Sequence, residues 1–118
     1  MTHTLTIPGW LPARLNELLG GHWGKSHRLK KADAEIVYVY AYNSRIPHAT
    51  GRRFVRLHFV LGKYTKQGDA DGWQKSILDA LVRCGLLLDD SPRWCEWSTP
   101  TFERGDESAT VITLEDVQ

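Results

Sequence analysis

The residues with most chemistry to offer lie in one stretch. Asp69-Ala70-Asp71 is followed, four residues after Asp71, by Lys75, and Asp89-Asp90 comes after Gly85. Two carboxylates separated by one residue can converge on one cation when the backbone between them is extended or turned. Mg²⁺ asks for oxygen ligands at about 2.1 Å in an octahedron and accepts water in the remaining positions. The spacing puts Lys75 on the same helical face as Asp71, directed away from the apolar Trp73/Ile77 stripe, where its ammonium can hold a phosphate or meet developing charge. Each feature has a plainer reading beside it. Aspartates ahead of a helix commonly cap it or form turns. Lys75 can pair with Asp71 or Asp79, and Asp89-Asp90 can be a solvated turn before Ser91-Pro92. The expectation that unites them is that Gly85 returns the chain so that a third carboxylate, from Asp89-Asp90, comes back to Asp69 and Asp71.

The elements that must position these groups follow from hydrophobic periodicity. Thr2 to Ile7 alternates, with His3, Leu5 and Ile7 on one face, and Pro8-Gly9 ends it, which predicts a strand. Trp10 to Gly24, with Pro12 and Gly20-Gly21, reads as mainly loop, with room for a helical turn at Leu15 to Leu19. Ser26 is a candidate cap for a helix to about Asn43, whose apolar side would carry Leu29, Ala32, Ile36, Val39 and Tyr40. The β-prone run Ile36 to Tyr40 argues the other way, and helix is the favoured assignment. Arg53 to Leu61 alternates as a second strand, and the basic loop Gly62 to Gly68 delivers the chain to Asp69. A second helix fits Gly72 to Cys84, with Asp71 and Gln74 as a capping box and Gly85 just past the end. Its main stripe is Trp73, Ile77, Ala80, Leu81 and Cys84. A smaller one, Leu78 and Val82, would suit a second packing partner, a dimer interface among the candidates. Two last strands, about Arg93 to Thr99 and Thr110 to Glu115, are joined by the polar turn Arg104 to Ser108. The order β-α-β-α-β-β predicts one domain over residues 1–118, of α/β or α+β class, with a small mixed sheet packed by two main helices.

The run Asp69-Ala70-Asp71-Gly72-Trp73-Gln74-Lys75, then Asp79-Ala80-Leu81, then Gly85-Leu86-Leu87-Leu88-Asp89-Asp90, resembles the signature of the RusA family of Holliday-junction resolvases, found in phages, prophages and bacteria. The opening strand with Pro8, then Asn16, Trp23 and the basic stretch Lys25 to Lys31, is similar in order to that family's start, and the strands after Asp90 also fit. The resemblance spans nearly the whole chain, and its sharp part is Asp69 to Asp90. It implies a RusA-like fold and a homodimer that resolves four-way DNA by paired symmetric nicks, in recombination and repair. Asp69, Asp71 and Asp90 would hold catalytic Mg²⁺ (or Mn²⁺ in its place), Lys75 would be needed for cleavage, and Asp89 would support. The metal would assist hydrolysis and keep the acidic cluster from repelling the phosphate. The family usually has asparagine directly after the second aspartate, where this chain has Gly72.

Phosphate contacts would fall to Lys25, Arg28, Lys30 and Lys31, with His27 among them, and to Lys63 and Lys66 beside the acidic loop. Their plainer reading is a solvated face. With 15 Lys+Arg against 14 Asp+Glu, net charge gives no overall attraction to nucleic acid, so local patches would have to supply it. The chain has 118 residues, 42% hydrophobic, with five tryptophans, which permits a true core and argues against disorder. Cys84 and Cys95 make no framework and read as buried packing groups. No apolar run spans a membrane, the start does not resemble a signal peptide, and a cytoplasmic protein is expected. The five histidines show no metal-ligand spacing. Three rivals remain: a relative that binds branched DNA without cutting it, resting on Gly72; a Toprim-like phosphotransfer domain, which lacks its early glutamate here; and a protein-interaction module that binds no metal.

Overall fold

The computed structural model describes residues 1–12, 23–63, 65 and 70–117, and for residues 23–27, 70 and 71 the backbone alone. Among the described residues the elements are β1 (Thr2–Pro8), α1 (Trp23–Asn43), β2 (Arg53–Leu61), α2 (Ala70–Arg83), β3 (Cys95–Trp97), β4 (Thr101–Arg104) and β5 (Ala109–Asp116). They form a mixed five-stranded sheet with two helices, an α+β fold of the expected class. The strand order is β1-β5-β2-β3, with β4 also paired to β2. β5 runs antiparallel to β1 and β2, while β3 and β4 run parallel to β2. Because β1 and β2 therefore point the same way, the chain leaves both at the same end of the sheet.

Alternation within the strands selects one face for the core. Leu5, Ile112 and Leu57 lie side by side across three strands, and the next inward rows bring Ile7, Val55, Phe59 and Leu114 into the same layer. Burying each such side chain contributes about 1.5–3 kcal/mol. Trp73, Ile77, Ala80 and Leu81 of α2, with Cys84 just past its end, complete that core, as their spacing predicts. Leu78 is buried too and Val82 packs against the same cluster, with α1 lying along α2, so packing within one chain accounts for the smaller stripe. The groups α1 buries most deeply are Asp33, Val37 and Ala41; Ala32 and Val39 are exposed. Ile36 and Tyr40 of the expected stripe do pack against the core, partly buried, and the buried side is shifted from that stripe so that it takes in the charged Asp33.

Boundaries differ in instructive places. Ser26 lies within α1, which starts at Trp23, so it is not the cap. Asp71 likewise lies in the first turn of α2, which begins at Ala70, and not ahead of the helix as a capping box requires. The helical turn expected at Leu15 to Leu19 lies outside the described residues. The C-terminal stop of α2 is as expected: Gly85 has φ +79°, Leu86 N–H donates to Leu81 O at 2.9 Å and Gly85 N–H to Val82 O at 3.1 Å. α1 ends in the same pattern, Ile46 to Ala41 O and Arg45 to Tyr42 O, with Arg45 taking φ 56° although it is not glycine.

The strand expected at about Arg93 to Thr99 is the three-residue β3, and a further strand that was not expected, β4, follows it, which makes the order β-α-β-α-β-β-β. β3 pairs with Arg53 to Val55 and β4 with His58 to Leu61, so both occupy one edge of β2 and the segment Ser98-Thr99-Pro100 separates them. Pro100 has no N–H to give the ladder, which explains the break. Arg104, expected in a turn, is the last residue of β4.

One buried cation ties the far end of the sheet together. The Arg53 side chain donates to Asp116 Oδ1 at 2.8 Å and to Leu86 O at 3.0 Å. The hydrogen bond from Arg53 holds the half-exposed Asp116 carboxyl below its ordinary pKa, with help from the charges of Arg53, the N-terminal ammonium and His3. A carboxyl with a lowered folded-state pKa stabilises the fold above its unfolded value, about 3.9, and loses that contribution as pH falls through the folded value. Asp116→Asn should therefore unfold at lower urea than the parent at neutral pH. The gap should shrink below about pH 4 and close in stronger acid; a gap independent of pH would refute this.

Candidate metal centre

The carboxyl end of β2 is where the acidic segment leaves the sheet. The crevice outside the carboxyl ends of parallel strands is the usual position of sites in sheets with helical crossovers. Here β2 and β4 end side by side, Leu61 in register with Arg104. Two side chains, one at the end of β4 and one in the connection that crosses the end of β2 to β5, grip the chain as it departs, with a backbone bond beside them. Gly62 N–H donates to Ser108 Oγ at 3.0 Å, Gly105 N–H to Leu61 O at 3.0 Å, and Arg104 Nη1 to Gly62 O at 2.9 Å and to Thr65 O. A Cβ on Gly62 would meet Ser108 Oγ at 3.0 Å, so the approach is close. Sequence reasoning missed Arg104 and Ser108, since both stood in a stretch read as a solvated turn.

Asp69 and Lys66 lie outside the described residues. Asp71 is in the first turn of α2, at this same end, with its backbone described. Lys75 follows one turn later and is exposed, as its place away from the Trp73 stripe demands. Asp79 is engaged by Arg83, Oδ2 to Nε 2.9 Å, and not by Lys75.

Asp90 is elsewhere. Cys95 is in register with Arg53, the first residue of β2, and its N–H donates to Ser91 O at 3.0 Å. Ala49 N–H donates to Gly85 O at 2.9 Å, which ties the α2 C-terminus to that same end. The twelve residue-to-residue steps from Asp71 to Arg83 span roughly 18 Å of helix at about 1.5 Å each. The Gly85 return therefore carries Asp90 to the end of α2 opposite Asp71, contrary to the expectation that it rejoins it within the chain. The physical reason is the parallel pairing of β3 with β2, which obliges the chain to start β3 at the amino end of β2. Asp89 and Asp90 are both exposed there. Burial raises the Cys95 thiol to a pKa of about 11, with the Asp90 charge adding to it. Burial also raises the Cys84 thiol, whose Sγ donates to Ala34 O at 3.0 Å, so both cysteines are packing groups as read from sequence.

Among the described residues, no three His, Cys, Asp or Glu side chains are placed to hold a metal ion; the side chains of Asp69 and Asp71 are not among those described. The donor set itself suits Mg²⁺, being all carboxylate oxygen, and no ion pair engages Asp90 among the described residues. Of the basic groups, Arg28, Lys31 and Lys63 are exposed and Lys30 is half-buried, while Lys25 is described by backbone alone, in α1. Lys31 lies with Arg83, Cys84, Tyr38 and Val39 around a groove of about 510 Å³ between the helices. His58 is on the outer sheet face, where its ring bridges Thr101 Oγ1 at 2.7 Å and Glu103 Oε1 at 2.9 Å. No helix among the described residues is long and apolar enough to cross a membrane. No protein-family model matches the chain, and no curated protein matches it.

Proposed function

We propose that this chain is a Mg²⁺-dependent endodeoxyribonuclease of the RusA type, a Holliday-junction resolvase that nicks four-way DNA as a homodimer. The observation that carries the reading is the run Asp69 to Asp90, with Asp71 in the first turn of α2 at the carboxyl end of β2 and exposed Lys75 one turn further. In this reading Asp69 and Asp71 hold the metal, which supplies Lewis-acid charge for phosphodiester hydrolysis. Lys75 holds a phosphate oxygen, and Lys25, Arg28, Lys30, Lys31, Lys63 and Lys66 contact the backbone without reading sequence.

The distance between Asp71 and Asp90 refines the reading. If Asp90 is a ligand, two copies related by a two-fold axis must share each site, Asp69 and Asp71 of one meeting the partner's Asp90. Such an exchange is reciprocal, so a dimer holds two equal sites. Two equal sites are what symmetric nicking of a two-fold junction needs.

The test compares a four-way junction with a matched linear duplex, in Mg²⁺ or Mn²⁺ and with a chelator. Paired nicks confined to the junction and abolished by the chelator are expected. Junction binding without nicks at any metal concentration would favour a non-cutting relative, and Gly72 would then be the first residue to revert to asparagine. Equal cleavage of the duplex would remove junction selectivity, and no junction binding would remove the DNA reading altogether.

A further inference from the structure

We infer that the exposed face of α1 is a docking surface for a single strand of DNA, with Tyr38 and Tyr42 as the platform on which its bases stack; this rests on the DNA reading above. The residues that α1 leaves in water recur at helical spacing on one side, Arg28, Lys31, Glu35, Tyr38, Val39 and Tyr42. From Arg28 to Tyr42 they run about 21 Å at about 1.5 Å per residue. The amino half of this face is basic and the carboxyl half aromatic, and exposed Arg45 stands just past the helix end. Tyr38 is 50% exposed and Tyr42 72%, and their rings lie 6.3 Å apart with planes 25° from parallel. Two flat apolar faces are thus held side by side in water, and neither belongs to the packed core. Tyr38 also walls, with Lys31, Val39 and Cys84, the groove of about 510 Å³, which leaves a stacked base room beside the ring. Charge selects the partner. Among the described residues no ion pair engages Arg28, Lys31 or Arg45, and Glu35 is the one acid on this face, so it is more basic than a chain of net charge +1. Protein interfaces are depleted of charge at their cores. Single-strand sites instead combine cations that follow the phosphates with aromatic rings that take any base. A branch point, unlike a continuous duplex, has base faces to offer such rings.

The experiment uses the full chain with Tyr38→Ala, Tyr42→Ala, Tyr42→Phe and Lys31→Gln, all at exposed positions. Binding of a mixed-sequence single strand carrying 2-aminopurine, and of a four-way junction, is measured in Ca²⁺ over a range of salt, and sedimentation reports the oligomeric state. Each alanine change should weaken single-strand binding by about 5–100-fold and reduce the quenching of 2-aminopurine that stacking causes. Tyr42→Phe, which keeps the ring, should stay within about twofold of the parent. Lys31→Gln should lower the salt slope by about 0.7 and leave the quenching per bound strand unchanged. Thermal unfolding should match the parent throughout. Unchanged single-strand affinity in both alanine variants overturns the inference. So does a changed oligomeric state with strand binding intact, which would make the face a protein contact. A parent that binds and quenches the strand but neither binds nor nicks the junction loses the resolvase reading and keeps this surface. A parent that binds no DNA loses both.

Discussion

Asp71→Asn and Asp90→Asn, each alone, should lower junction nicking by at least about a thousandfold, the loss of roughly 4 kcal/mol of transition-state stabilisation by a correctly held metal. Co-expressed so that copies pair at random, the two inactive variants should regain activity. In a mixed dimer one site takes Asp71 from the Asp90→Asn copy and Asp90 from the Asp71→Asn copy, and is whole; the other site lacks both. About half the dimers are mixed and each holds one working site, so roughly a quarter of the sites return, giving single nicks in place of paired ones. An active centre confined to one chain predicts no recovery, because every copy then carries a broken site. The experiment follows from where Cys95 and Leu86 anchor the chain, at the Arg53 end of β2 and a helix length from Asp71. Circular dichroism of each variant should match the parent, since exposed Asp90 has no packing role.

Trp73→Ala should cost about 3–5 kcal/mol in urea unfolding, the range for deleting a large buried aromatic. Trp73 is 1% exposed and its ring stands 5.3 Å from Phe59 and 6.5 Å from Phe102, so the loss combines a cavity with two ring contacts. Natural domains hold about 5–15 kcal/mol in all, so this one change removes a large part of the reserve. The position also fastens the start of α2 to β2 and β4, two residues after Asp71. Trp73→Phe should restore most of the stability and leave nicking near the parent rate. A loss below about 1 kcal/mol in Trp73→Ala would show that α2 is not anchored there.

The fold class was legible because the strands alternate cleanly and α2 has one dominant stripe. Arg53 to Leu61 was read at its observed bounds, and Gly85 announced its left-handed turn. The α1 face was legible in part: Ile36 and Tyr40 do pack against the core, but Ala32 and Val39 are exposed and Asp33 is buried, and an apolar count gives a carboxylate no weight on an inward face. β4 was missed because four residues between Pro100 and Gly105 carry too short a period, and only pairing with β2 makes them a strand. At the candidate site, residue types and order were plain, while position was not. Nothing in the Asp69 to Asp90 run says that β3 will pair parallel to β2, and that choice alone sends Asp90 away from Asp71. Arg104 was unreadable for a related reason: its partners are carbonyls some forty residues earlier, brought close by the parallel pairing of β4 with β2.

The divided edge of the sheet bears on how this protein stays apart from its own unfolded copies. A continuous exposed strand is a template on which stray chains can stack into fibrils. β3 and β4 offer three and four residues, parted by Pro100, and carry Glu96, Glu103 and Arg104. An incoming strand finds its ladder interrupted after one short step and meets charge on either side. A proline at this point thus makes the margin of the sheet a poor seed for aggregation.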